Sequence, residues 1–293
     1  MSDSPDARTR HHEYSYRLPT PPRIVVPPPT LTTEPPELHL PNQRAHDEEI
    51  DTSFLKNINL DSVVQTNTLL EWHYAKRRQA QMILPWLYLG PLSAAKDKEF
   101  LAREGITMVF AIRANTNSMR GLLQAALEVC HEVAAVEASN CFSLTGKFAD
   151  ATRIINTHVA KFWKYTQATG NPQLGKVLVF CESGNDKSAA VAAAYLMELL
   201  DDFDHIKSMQ VCQAQRFCVN FDDALKLSLQ SYWDILQARR SVSNARADKP
   251  KRSIEELRDD DVDMGSDFDD DPSIRPRRGN LESLAPFAQR YRP

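Results

Sequence analysis

Cysteine is sparse in this chain and forms no recognisable pattern. There are five cysteines in 293 residues, an odd number with no Cys-x-x-Cys pair, and the eight histidines do not cluster with them. That suits a reducing compartment and gives no zinc pattern. No apolar run reaches membrane-spanning length, and the N-terminus carries no basic-then-apolar leader. A net charge of −4 provides no bulk attraction to nucleic acid. No internal repeat is present. The expectation is therefore a chain with no metal or cofactor and with no membrane or nucleic-acid partner.

Composition is uneven along the chain. Residues 1–45 hold more than half of the 18 prolines, in runs such as Val26-Pro27-Pro28-Pro29. Such a stretch cannot bury enough surface to fold alone, so residues 1–70 are expected to be a disordered, proline-rich region. Residues 71–240 are apolar-rich and long enough for one domain with a sizeable core. Residues 241–293 are expected to form a disordered charged tail, in which a basic part (Lys249, Lys251, Arg252) precedes an acidic one (Glu255 to Asp271).

Chemistry concentrates in residues 177–191. Val177-Leu178-Val179-Phe180 is a short apolar run with two β-branched residues, as in a strand covered on both faces. Next comes a polar loop, Cys181-Glu182-Ser183-Gly184-Asn185-Asp186-Lys187-Ser188, then an Ala-rich stretch with Val191, Tyr195 and Leu199 on one helical face. A loop that enters a helix aims backbone N–H groups at an anion, and the same field favours thiolate, the nucleophilic form of cysteine. Gly184 lets the backbone curl where a Cβ would obstruct it. Asp186 stands where a Walker A loop needs glycine, so the segment is not an NTPase loop.

Strands are predicted near 83–89, 106–112, 132–137 and 177–180. Helices are predicted near 93–104, 148–168, 187–200, 204–215 and 221–238. Alternation of this kind argues an α/β sheet with helices on its faces, the loop lying at the carboxyl end of a central strand.

Cys181-x5-Lys187-Ser188 resembles the Cys-x5-Arg-Ser/Thr pattern of the cysteine phosphatases. The match extends from about Glu71 to Leu236. It includes Gln81-Met-Ile-Leu-Pro-Trp-Leu-Tyr-Leu-Gly-Pro91, Ile112-Arg113-Ala114-Asn115 and Arg216-Phe217-Cys218-Val219-Asn220. These elements are similar to the dual-specificity phosphatases, and most of all to the serine/threonine/tyrosine-interacting pseudophosphatase branch. The resemblance implies the cysteine-phosphatase fold, a central mixed sheet flanked by helices. It gives Cys181 as nucleophile, Lys187 in place of the arginine that grips two phosphate oxygens, and Ser188 as the hydroxyl that assists phosphocysteine breakdown. Glu182, Ser183, Gly184, Asn185 and Asp186 complete the phosphate-binding loop.

Three positions depart from the family pattern. Phe180 replaces the histidine before the cysteine. Lys187 keeps charge but loses the planar two-toothed grip. The family takes its general acid from an aspartate on a mobile upstream loop, yet no aspartate occurs between Asp97 and Asp150. The acid position falls on Ala138, with Glu137 beside it as a candidate substitute; a solvated loop glutamate is the plainer reading. Losing a positioned acid typically slows such chemistry by ~10²–10⁴-fold. Glu182 and Asp186 also oppose Lys187 within the loop.

The resemblance implies a monomeric phosphatase-like protein in signalling, MAP-kinase regulation included. It would bind phosphoproteins, kinases or a ubiquitin-ligase adaptor, with catalysis impaired. The alternative is a slow protein tyrosine/serine/threonine phosphatase that uses a phosphocysteine at Cys181. A weaker reading places function in the tails, through proline runs that dock aromatic modules and through Ser243 or Ser253 as kinase sites. A basic cluster at 249–252 suits nuclear import, so cytoplasmic and nuclear localisation is expected.

Overall fold

Short apolar runs build one mixed sheet, and the order of its strands places the loop. The structure, a computed structural model, describes residues 24–27, 37–40, 43–45, 48–60, 72–115, 121 and 123–247. Two small strands, β1 (Gln43–Ala45) and β2 (Glu48–Ile50), pair with each other. The main sheet contains β3 (Gln81–Leu84), β4 (Leu87–Pro91), β5 (Met108–Arg113), β6 (Glu132–Glu137) and β7 (Val177–Cys181), in the order β3-β4-β7-β5-β6. Only β3 runs antiparallel to its neighbour. The last strand in sequence is thus the central one, and its carboxyl end is flanked by those of β4 and β5. Ligands of open α/β sheets bind at such a place.

The α-helices whose bounds the described residues give are α1 (Leu92–Ala95), α2 (Lys98–Glu104), α3 (Gln124–Val129), α4 (Cys141–Thr145), α5 (Phe148–Ala168), α6 (Lys187–Leu199), α7 (His205–Gln215) and α8 (Asp223–Ala247). Strand alternation sorts the core onto two faces. Val177 and Val179 face a large cluster with α5, α6, α7 and α8, whereas Leu178 and Phe180 face a smaller one with Phe100, Leu101, Leu123 and Ala126. Apart from Lys187 at its start, α6 is buried throughout. Its run of alanines lets neighbouring elements approach closely on every side.

Several boundaries differ from the sequence expectation. The strand expected at 83–89 is a hairpin, because Pro85 lacks the N–H a continuous strand would need. The helix expected at 93–104 is two, because the Asp97 carboxylate accepts the Phe100 N–H and starts a new helix. The short helices α3 and α4 were not anticipated. The last helix runs to Ala247, beyond the expected domain edge at 240.

The expectation of disorder through residue 70 fails for residues 48–60. Leu55 and Leu60 are buried in the core, and Phe54 stacks on Trp163 with ring centroids 4.4 Å apart. After its proline runs the sequence supplies Ile50, Phe54, Leu55, Ile58 and Leu60, enough apolar surface to add to the core. The expectation fails also for residues 24–27 and 37–40: Val26, Leu38 and Leu40 pack against the core, and the His39 N–H donates to the Leu199 carbonyl at 2.7 Å. Residues 1–23, 28–36, 41–42, 46–47 and 61–71, and the tail beyond Ala247 with its basic cluster and Ser253, lie outside the described residues.

Candidate phosphate-binding site

β7 carries Cys181 to the carboxyl end of the sheet and leaves it almost wholly buried. The chain then curls back so that the Gly184 N–H donates to Cys181 Sγ at 3.3 Å. This curl requires glycine for two reasons. Gly184 has φ +73°, and an added Cβ would lie 2.4 Å from the carbonyl carbon of Gly90. Ser188, on the first turn of α6, donates its hydroxyl to Sγ at 3.1 Å. Thiol, loop amide and hydroxyl therefore meet within hydrogen-bonding distance.

A buried arginine holds the loop from behind. Arg216 is fully buried at the end of α7. Its Nε donates to the Gly184 carbonyl at 3.0 Å, and its Nη2 donates to the Ser183 carbonyl and to Asn185 Oδ1, each at 3.2 Å. The other side of the fork donates to the Gln79 carbonyl at 2.7 Å and to the Gln81 side chain, and Nη2 also reaches the Arg77 carbonyl at 2.9 Å. By drawing the loop carbonyls backward, Arg216 leaves the opposite side of those peptides free for N–H groups. Burial pushes its pKa below the ordinary arginine value. Asn185 completes the brace. Its carbonyl accepts the Asn220 N–H at 3.0 Å, and its Oδ1 accepts the Cys218 thiol at 3.1 Å. Arg216 and Asn220 stand in the sequence as part of a resemblance, but neither spacing nor charge pattern gave Arg216 this role.

Lys187 does not face the loop. Its Nζ donates to the Ala138 carbonyl at 2.7 Å and to the Ser139 carbonyl at 3.2 Å. The cation at the arginine position therefore ties the loop after β6 to the start of α6. Ala138 is buried and its own N–H bonds the Arg113 carbonyl at 2.8 Å. Glu137 lies at the end of the edge strand β6, exposed, and among the described residues no hydrogen bond or ion pair joins it to the cysteine loop. Phe180 faces away from the loop, packed among Tyr88, Ala95, Phe100 and Val109. A histidine there would be buried among hydrocarbon.

The two loop carboxylates both turn outward. Asp186 is exposed and accepts the Ser183 hydroxyl at 3.1 Å, while Ser183 Oγ accepts the Asn185 N–H at 3.1 Å. Glu182 pairs with Arg113 Nη2 at 2.6 Å. Neither side chain fills the loop, which lessens the repulsion expected from their charges. Among the described residues no three side chains converge as metal ligands, and no helix is long and apolar enough to cross a membrane.

A strand that ends in a buried cysteine, a loop curled over its sulfur and a helix that opens with a hydroxyl are the arrangement of the cysteine-phosphatase fold. No family model matches the chain. The human serine/threonine/tyrosine-interacting protein is 30% identical over 193 residues, spanning 63% of this chain and 78% of that protein. Mouse dual specificity protein phosphatase 22 is 25% identical over 178 residues, 60% of this chain and 86% of that protein. The crystal structure of the human tyrosine phosphatase-like serine/threonine/tyrosine-interacting protein is 28% identical, covers 55% of this chain and 99% of that chain, and has a TM-score of 0.42. The chain belongs to the dual-specificity phosphatase family, in its serine/threonine/tyrosine-interacting branch.

Proposed function

We propose that this protein binds phosphorylated partners through its cysteine loop and turns them over very slowly or not at all. The observation that carries this reading is Lys187, whose ammonium engages the Ala138 and Ser139 carbonyls at 2.7 and 3.2 Å. In the family reaction a thiolate displaces an alkoxide or phenoxide from phosphorus. The forming charge needs a two-toothed cation, and the leaving oxygen needs a proton. Here the cation at the expected position is held on the loop that should supply the acid. The residue at the acid position, Ala138, has no proton to give. Binding asks less, because loop N–H groups at the start of α6 favour an anion without either group.

The partners we propose are phosphoproteins or kinases, with a ubiquitin-ligase adaptor as a further class gripped by a face away from the loop. We propose that the chain acts as a monomer, in cytoplasm and nucleus, in kinase signalling. Hydrolysis of a small aryl phosphate by wild type, Cys181→Ser and Lys187→Arg tests the central reading. Wild type is expected to show no turnover above Cys181→Ser. Robust, Cys181-dependent hydrolysis would sink it.

A second reading, a slow phosphatase, is favoured by one arrangement. Cys181 Sγ accepts from both the Gly184 N–H and the Ser188 hydroxyl, which suits a nucleophile and its later release. Rapid-quench trapping of a phosphocysteine in Lys187→Arg would support it.

A further inference from the structure

Arg113 is out of character with its strand. Met108 to Ile112 are buried and apolar, yet β5 ends in a guanidinium that is only 16% exposed. β5 lies beside β7 with Ala111 level with Phe180. Continuing that register places Arg113 level with Glu182, the first residue beyond Cys181. The side chain thus reaches the rim of the cysteine loop. Its Nη2 meets one Glu182 oxygen at 2.6 Å, while its Nη1 is buried without a hydrogen-bond partner among the described residues.

A buried, half-satisfied guanidinium is unfavourable for folding and needs a reason. Its counter-ion lies on the solvent side: the Glu182 carboxylate is 63% exposed and uses one oxygen, so it can be exchanged for another anion. A tetrahedral dianion offers several oxygens and can satisfy both sides of the fork. Lys187 cannot fill that role while it holds the Ala138 and Ser139 carbonyls.

We propose that Arg113 is the cation that grips the phosphate monoester of a phosphorylated polypeptide at this loop, with Glu182 as an internal stand-in that a ligand must displace. The assignment rests on the phosphate-binding reading above and names how that site is held shut. In the unliganded protein Glu182 neutralises Arg113. When an anion arrives the carboxylate swings into solvent and the guanidinium turns to the phosphate oxygens. Lys187 is then a positioning residue that keeps the loop after β6 against α6.

The test is calorimetric titration of the full chain with tungstate, a tetrahedral oxyanion, in wild type, Glu182→Gln, Arg113→Gln and Lys187→Ala. Glu182→Gln removes an exposed charge, should leave the fold intact and is expected to bind about tenfold tighter. Arg113→Gln is expected to lose at least about tenfold, and more than Lys187→Ala. If wild type binds and neither Glu182→Gln nor Arg113→Gln differs from it, the assignment of Arg113 falls while the phosphate-binding reading stands. If neither wild type nor Glu182→Gln binds, both fall. Binding by Glu182→Gln alone would support the internal stand-in.

Discussion

The loop after β7 and the loop after β6 lie at the same end of the sheet and are held in different ways. In the first, Cys181, Gly184 and Ser188 meet within hydrogen-bonding distance, and Arg216 braces them from behind. The second is held by backbone and side-chain bonds of its own. Asn140 caps α4 reciprocally with Ser143, Lys187 pins the Ala138 and Ser139 carbonyls, and the resemblance sets Ala138 at the acid position. Geometry and reactivity are therefore separable in this fold. The hydrogen bonds that shape a loop run through backbone and buried groups, whereas acid chemistry would rest on the type of one side chain.

If that contrast is right, the scaffold of the first loop should be the more costly to disturb. Arg216→Ala is expected to have the largest effect, about 3–5 kcal/mol, because it leaves several buried oxygens without donors. Chemical denaturation would measure it, and a loss below about 1 kcal/mol would mean the loop holds its shape alone. Gly184→Ala comes next, at about 2–4 kcal/mol, since its Cβ would meet the backbone of Gly90 and Pro91 at a positive φ. For a domain of this size the melting temperature should drop by about 2–4 °C per kcal/mol.

The second loop should respond locally. Lys187→Met is expected to raise amide hydrogen exchange around residues 138–145 while global stability changes by only about 1–2 kcal/mol. Equal loosening across the sheet would contradict the pin.

The smallest effect near neutral pH concerns α6, the helix shared by both loops. Glu198, near its end, is buried and accepts from Thr152 at 2.7 Å and from Tyr232. Burial raises its carboxyl pKa above the ordinary value, against the donors and nearby arginines that lower it. A raised folded-state pKa gives stability that is complete below the unfolded carboxylate value and is lost as pH rises through the folded one. Carboxyls held below their ordinary values, such as that of Glu132 beside His158, act in the opposite sense, so the melting temperature followed from acid to neutral pH should fall more, or rise less, in wild type than in Glu198→Gln. Parallel curves would remove Glu198 as the cause.

Much of this site was legible in the sequence, and residue type explains which parts. Cys181, Gly184, Ser188 and the strand before them form one local run, in which periodicity and spacing fix the geometry without distant partners. The same holds for α5, whose apolar stripe marks its length, and for the end of that helix near Gly170. Pro85 and Asp97 were visible but carried breaks that a coarse apolar pattern overrides, so a hairpin read as one strand and two helices as one.

The sequence by itself determined that a cysteine loop enters an Ala-rich helix, that Lys187 stands six residues after Cys181 and that no aspartate occurs between Asp97 and Asp150. Tertiary structure alone decided where the charges point. Arg216 meets Gly184 from 32 residues away and Lys187 meets Ala138 from 49. Arg113 reaches Glu182 only because β5 lies beside β7. A long cationic side chain has many rotamers, and its partner is chosen by whichever buried oxygen the fold leaves in need of a donor. That choice belongs to the packed sheet and leaves no trace in local spacing.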